Sequence, residues 1–182
     1  MCGEVIGMKL RLFSIVPVLA ALTGGCSPSF EADLPDVEIT QRGLKMAGVP
    51  GAALLGDTSV TSSFTFSLSK SAKSMNSKVL VHQVTLTASS GVPNLDFIKN
   101  ARVTAAAPAI SESATDLVNY ERSQDAPSSA SVEVTMPAPV DITSLWSAGQ
   151  VVVELQVAGQ LPEQDWTVDV TVKVSGNITY EF

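Results

Sequence analysis

Four groups of residues in this chain could do chemistry. His82 is the single histidine, the side chain whose ordinary pKa lies nearest neutrality, and a hydrolase would set it between a serine and a carboxylate. Ser67-Leu68-Ser69-Lys70 places a hydroxyl and an amine three residues apart. Glu112, Asp116, Glu121 and Asp125 bring four carboxylates into a short stretch, and glycoside hydrolysis needs two flanking the scissile bond. Cys26 offers a thiol.

Three of these groups read as structure and not as catalysts. His82 falls on the same parity as Leu80 and Val84 in an alternating segment, so it is expected as a half-buried strand histidine. No Gly-x-Ser-x-Gly elbow presents a nucleophilic serine. The Ser67 to Lys70 pattern is similar to the Ser-x-x-Lys of penicillin-binding enzymes. There the serine opens a helix and companion motifs follow; here the segment reads as strand and the companions are missing. The acidic residues are expected as solvated loop groups. One histidine and no cysteine after Cys26 exclude the usual zinc sets. Neither a calcium loop nor a Gly-rich phosphate loop is present. The expectation is a protein that is not an enzyme and takes no cofactor or metal. Asn177-Ile178-Thr179 matches a glycosylation acceptor but is read as accidental beside a bacterial export signal.

Cys26 belongs to a different pattern. Lys9 and Arg11 precede an apolar run from Leu12 to Leu22, which gives way to Thr23-Gly24-Gly25-Cys26. This is the arrangement of an export signal, and its apolar run is too short to span a bilayer, which takes about 20 residues. Met8 is the natural start of such a signal. Thr23-Gly24-Gly25-Cys26 after Leu22 resembles the lipobox of bacterial lipoproteins. That resemblance implies removal of residues 1–25, acylation of Cys26 as the first residue, and a membrane partner held through its acyl chains. Ser27 in place of an aspartate implies an outer-membrane address. Thr23-Gly24-Gly25 also fits the small-residue site of an ordinary signal peptidase.

Residues 26–36 read as a lipidated cysteine followed by a tether, polar, acidic and broken by Pro28 and Pro35. Residues 37–182 suit one domain with a sizeable core. Counted from Cys26 there are 9 Lys plus Arg against 17 Asp plus Glu, a net charge of −8, which argues against nucleic acid as a partner. The charge is uneven, with 7 basic and 2 acidic residues in 42–102 and 2 basic and 11 acidic in 103–182. Pairing of strands from the two stretches would bring opposite charges together. Lys70, Lys73 and Lys78 lie in a loop that could touch an anionic headgroup or phosphorylated polysaccharide; a solvated hairpin tip is the simpler expectation.

The fold signal is strand. Trp166, Val168, Val170, Val172, Val174, Ile178, Tyr180 and Phe182 share one parity and polar residues the other, which only a half-buried strand can separate. Gly176 is expected as a bend or bulge within one long strand, because a hairpin at Gly176-Asn177 would face Ser175 with Ile178. Alternation also marks segments around Phe64 to Leu68, Leu80 to Leu86, Val132 to Met136 and Val151 to Val157. Shorter candidates are Val37 to Gln41, Arg102 to Ala107 and Leu117 to Arg122. Asn94 is expected to cap a helical turn over Leu95 to Lys99, and Asp141 one over Ile142 to Ala148 with Gly149 as its stop. About eight strands predict an all-β, antiparallel two-sheet sandwich of immunoglobulin-like type, with Trp146 or Trp166 in its core. The alternative is a small β-barrel, since the alternation up to Phe182 resembles the assembly signal of outer-membrane barrels; only two Trp and two Tyr are too few for aromatic girdles. The functional expectation is a lipid-anchored, non-enzymatic binding or structural module of the cell envelope, with an envelope protein or polysaccharide as partner. A barrel or pore component and an envelope hydrolase are the alternatives.

Overall fold

A computed structural model describes residues 29–67, 76–110 and 114–181. The strands β1 (Ser29–Met46), β2 (Thr58–Ser67), β3 (Asn76–Ser90), β4 (Ile98–Ala106), β5 (Thr115–Glu121), β6 (Ser131–Asp141), β7 (Gln150–Gly159) and β8 (Trp166–Glu181) are joined with two short helices, α1 (Ala52–Leu55) and α2 (Thr143–Ser147). They form two four-stranded antiparallel sheets, β1-β8-β3-β6 and β2-β7-β4-β5. The two-sheet sandwich follows from the alternation, since each strand has one apolar face to bury. The sheets do not close on each other, so the barrel alternative is not what the strands form.

The strand order is that of a jelly roll, not the immunoglobulin-like arrangement. Of the seven connections only β4 to β5 stays within a sheet; every other one crosses between layers. The residues after β1, β3, β5 and β7 cluster at one end of the sandwich, called here the far end. Ser29, Glu181 and α2 lie at the opposite, near end. Strands from the basic and acidic stretches do pair, as β2 with β7, β3 with β6 and β8, and β4 with β5 and β7. Of the four ion pairs among the described residues, only Arg102 to Asp116 joins a base of the first stretch to an acid of the second.

Several local expectations change. The segment expected as a tether is strand from Ser29 onward, paired with β8 from Ser29↔Glu181 to Leu34↔Gly176. Pro35 is accommodated because it sits in the bulge between Leu34 and Val37 on a sheet-edge strand, where a missing N–H breaks no ladder. In β3 the expected inward face holds at Val84 and Leu86 but not at Leu80 before His82. Val79 and Val81 are buried before His82, and Val84 and Leu86 after it, because His82 is an extra residue between Val81↔Val174 and Gln83↔Lys173. A bulge shifts parity by one, which alternation alone does not reveal. Opposite it, β6 arches from Thr135 to Val140, taking up Pro137 and Pro139 at the edge of the sheet.

β8 runs unbroken through Gly176, which pairs with both Leu34 and Val79. A Cβ there would lie 2.1 Å from the Lys78 carbonyl oxygen, so the glycine permits close backbone approach. The helix expected after Asp141 forms, but its N-cap residue is Ile142, with no side-chain cap bond; Asp141 precedes it, its Oδ1 accepting the Thr143 N–H at 2.9 Å in an Asx turn, and Gly149 follows the helix with φ +79°. The turn expected at Asn94 is not helical. Asn94 Oδ1 accepts from the Asp96 N–H at 3.3 Å, an Asx turn that leads directly into β4.

The core is layered Val and Leu from both inner faces, with Val81, Val103, Val151, Leu155, Val157, Val168 and Val170 fully buried. The far end is closed by Met46, Leu95, Ile98 and Trp166, each at most 1% exposed. Trp166 is thus the core tryptophan, while Trp146 is half-buried and leans on Phe66 with centroids 6.4 Å apart. No helix among the described residues is long and apolar enough to cross a membrane.

Candidate ligand-binding face

His82 ends up beside a serine. Its Nε2 shares a hydrogen bond with Ser175 Oγ across β3 and β8. No carboxylate contacts His82 among the described residues. Ser175 lies in mid-strand of β8, opposite Leu80 of β3 and the bulge of β1 between Leu34 and Val37. The His82–Ser175 pair ties the β3 bulge to its neighbour strand. Ser67 ends β2; Lys70 and Lys73, like Glu112 and Cys26, lie outside the described residues, and Lys78 is exposed on β3.

The remaining carboxylates separate in space. Asp116 takes both Nε and Nη2 of Arg102 on its Oδ1, each at 2.7 Å. The Arg102 hydrogen bond and charge hold the Asp116 carboxyl below its usual range and push the guanidinium further up. Asp125 lies in the β5–β6 connection at the far end, away from Asp116 at the other end of β5. Among the described residues no cluster of three or more His, Cys, Asp and Glu side chains could hold a metal ion.

Another network fixes the far-end loops. Asp96 Oδ1 receives Arg122 Nη2 at 2.9 Å and the Ser129 N–H at 3.0 Å, while Oδ2 receives the Ser128 hydroxyl. Arg122 Nη2 also donates to the Pro127 carbonyl at 2.8 Å. The Ser128 hydroxyl first, then the Ser129 N–H and Arg122, hold the Asp96 carboxyl below its ordinary value. With Arg122 only 12% exposed, this is a clamp between the β3–β4 and β5–β6 connections.

The solvent face of the β2-β7-β4-β5 sheet carries the arrangement most suited to a ligand. Register aligns its outward side chains in rows across the strands. Asn119, Arg102, Gln156 and Thr61 form one row, and Glu121, Asn100, Ala158 and Ser59 the next. Ala158 is the short side chain among longer neighbours, and around it lies an open recess of about 390 Å³. Asn100, Asn119, Glu121 and Gln156 line it, and no described partner occupies their side chains. Each free carboxamide offers two donors and an acceptor. The recess escapes sequence analysis because its walls come from three strands that meet only after pairing; the one signal was their common outward parity, which marks any solvated strand face.

No protein-family model matches the chain, and no curated protein matches it. Among solved structures, the chain is similar to one described as the cryo-EM atomic structure of Broad Bean Stain Virus, at 14% identity over 79% of this chain and 89% of that one, with a TM-score of 0.30. It is also similar to the structure of infectious bursal disease virus Gx strain, at 12% identity and a TM-score of 0.20, covering 96% of this chain and 47% of that one.

Proposed function

We propose that this chain is an exported, lipid-anchored protein of a bacterial cell envelope, acting through binding and without chemistry of its own. The observation that carries the reading is the contrast on its surface. Arg102, Asp116, Asp96, Arg122 and His82 are tied to structural partners, whereas Asn100, Asn119 and Gln156 stand unpartnered around a recess on a sheet face. A sheet holds such side chains in fixed spacing without folding cost on binding.

The sequence before Ser29 supplies the anchor. Only Ser27 and Pro28 separate Cys26 from the start of β1, a reach of about 10 Å at full extension. An acylated Cys26 would therefore bring the near end close to the lipid headgroups and turn the far-end loops away from them. More than one acyl chain makes the attachment stable.

Intact-mass analysis of the protein extracted from membranes tests this. A chain beginning at Cys26 and carrying fatty acyl mass is expected, with Cys26→Ser leaving an uncleaved leader and no acyl mass. Cleavage at Cys26 without added acyl mass, or acyl mass still present on Cys26→Ser, would overturn the anchoring.

A further inference from the structure

We propose that the recess around Ala158 takes an uncharged saccharide chain, an assignment that rests on the recess being a binding site. Sugar hydroxyls both donate and accept, and the free carboxamides of Asn100, Asn119 and Gln156 do the same, so each can meet a pair of neighbouring hydroxyls. Strands lie about 4.8 Å apart. The row from Asn119 through Arg102 and Gln156 to Thr61 therefore presents a polar group at each step, close to the length of one hexose in an extended chain. The recess is open to solvent and lined from three strands, which favours an oligomer lying on the face over a single enclosed sugar.

Charge excludes the other polar ligands. The cations of the face among the described residues, Arg102 and Lys99, are each already held by an aspartate, Asp116 and Asp57. Glu121 beside Asn100 and Glu154 one row away add uncompensated carboxylates, so phosphate, sulfate and uronate polymers meet repulsion. The apolar surface of the recess, from Ala158 beside Ala101 and Tyr120, is small and mixed with polar atoms, too little area to drive binding of an apolar ligand by itself.

A glycan array probed with the full chain decides the matter, using neutral hexose and N-acetylhexosamine oligomers beside sulfated and uronate ones. Retention of a neutral oligomer is expected, weakened about tenfold by Asn119→Ala or Gln156→Ala, the effect of losing one or two hydrogen bonds. Ala158→Trp should abolish it by filling the recess. Circular dichroism of each variant checks that the sheet persists, and the two alanine variants stand alone should the tryptophan disturb folding. Retention confined to the charged oligomers and lost in the same variants would overturn the assignment to an uncharged saccharide and leave a binding recess. Neutral retention that none of the three variants changes, or no retention at all, would overturn it outright, while the mass measurement on Cys26 stands independently.

Discussion

The rings of Phe97 and Trp166 meet edge to face, with centroids 5.0 Å apart and planes at 84°. Trp166 is 1% exposed, and its buried indole N–H has no hydrogen-bond partner among the described residues. Two effects therefore oppose each other in Trp166→Phe: lost volume destabilises, while removal of an unpaired N–H recovers part of the cost. Chemical denaturation should show a loss of about 1 to 2 kcal/mol for Trp166→Phe against about 3 to 5 for Trp166→Ala.

Gly176 and Gly43 should respond differently to a methyl group. At Gly176 the new Cβ would meet the Lys78 carbonyl oxygen at 2.1 Å, and backbone in the middle of a sheet cannot yield cheaply. Gly176→Ala is expected to cost about 2 to 4 kcal/mol. Gly43 has φ +61° with nothing within 4 Å, so Gly43→Ala carries only the left-handed backbone penalty, about 1 kcal/mol. Urea melts of the two variants separate these predictions.

Deleting His82 should be far worse than replacing it. Without the extra residue, Val79 and Val81 or Val84 and Leu86 must turn outward, exposing two valines or a valine and a leucine, each worth about 1.5 to 3 kcal/mol when buried. His82→Ala keeps the phase and loses the Ser175 hydrogen bond, about 1 kcal/mol. The deletion is expected to leave no cooperative thermal transition, and the alanine variant to keep one.

Acid should destabilise the fold through three carboxyls. Asp96 is held low by the Ser128 hydroxyl, the Ser129 N–H and Arg122. Asp116 is held low by Arg102, and Asp141 by the Thr143 hydroxyl and N–H. Each is depressed in the folded state, so its contribution is complete above the unfolded value of about 3.9 and disappears as pH falls through the folded value. Thermal midpoints should be flat with respect to these groups from about pH 7 to 5 and drop below about pH 4. Asp96→Asn and Asp141→Asn should each be less stable at pH 7 and show a shallower drop.

The edges predict where copies would stick. β1 carries charged residues and two register shifts, β5 a register shift and acidic ends, and β6 two prolines in its arch. β2, Thr-Ser-Val-Thr-Ser-Ser-Phe-Thr-Phe-Ser, has no charge, no proline and an unbroken register, and such edges invite pairing. Thr65→Lys, on its outward parity, is expected to reduce concentration-dependent association measured by light scattering, with a stability change within about 0.5 kcal/mol.

The sandwich was legible because alternation reports burial locally. The single parity of β8 from Trp166 onward and the short helix before the Gly149 stop are both decided within a few residues. What lay outside its reach depends on partners. The His82 bulge exists because β3 must match β8 on one side and the arched β6 on the other. Strand order turns on contacts between residues as distant as Ser29 and Glu181, and Asn94 chose an Asx turn because β4 had to begin at Ile98 to meet β7. The recess needed that pairing before Ala158 could be seen as a gap between longer neighbours.

β8 lies between β1 and β3, although it comes last of the eight strands in chain order. Until residues 166–181 have left the ribosome, β1 has no neighbour to zip against and the second layer has nothing complete to cover. The first strand is therefore seated in its layer only after residues 166–181 have been made.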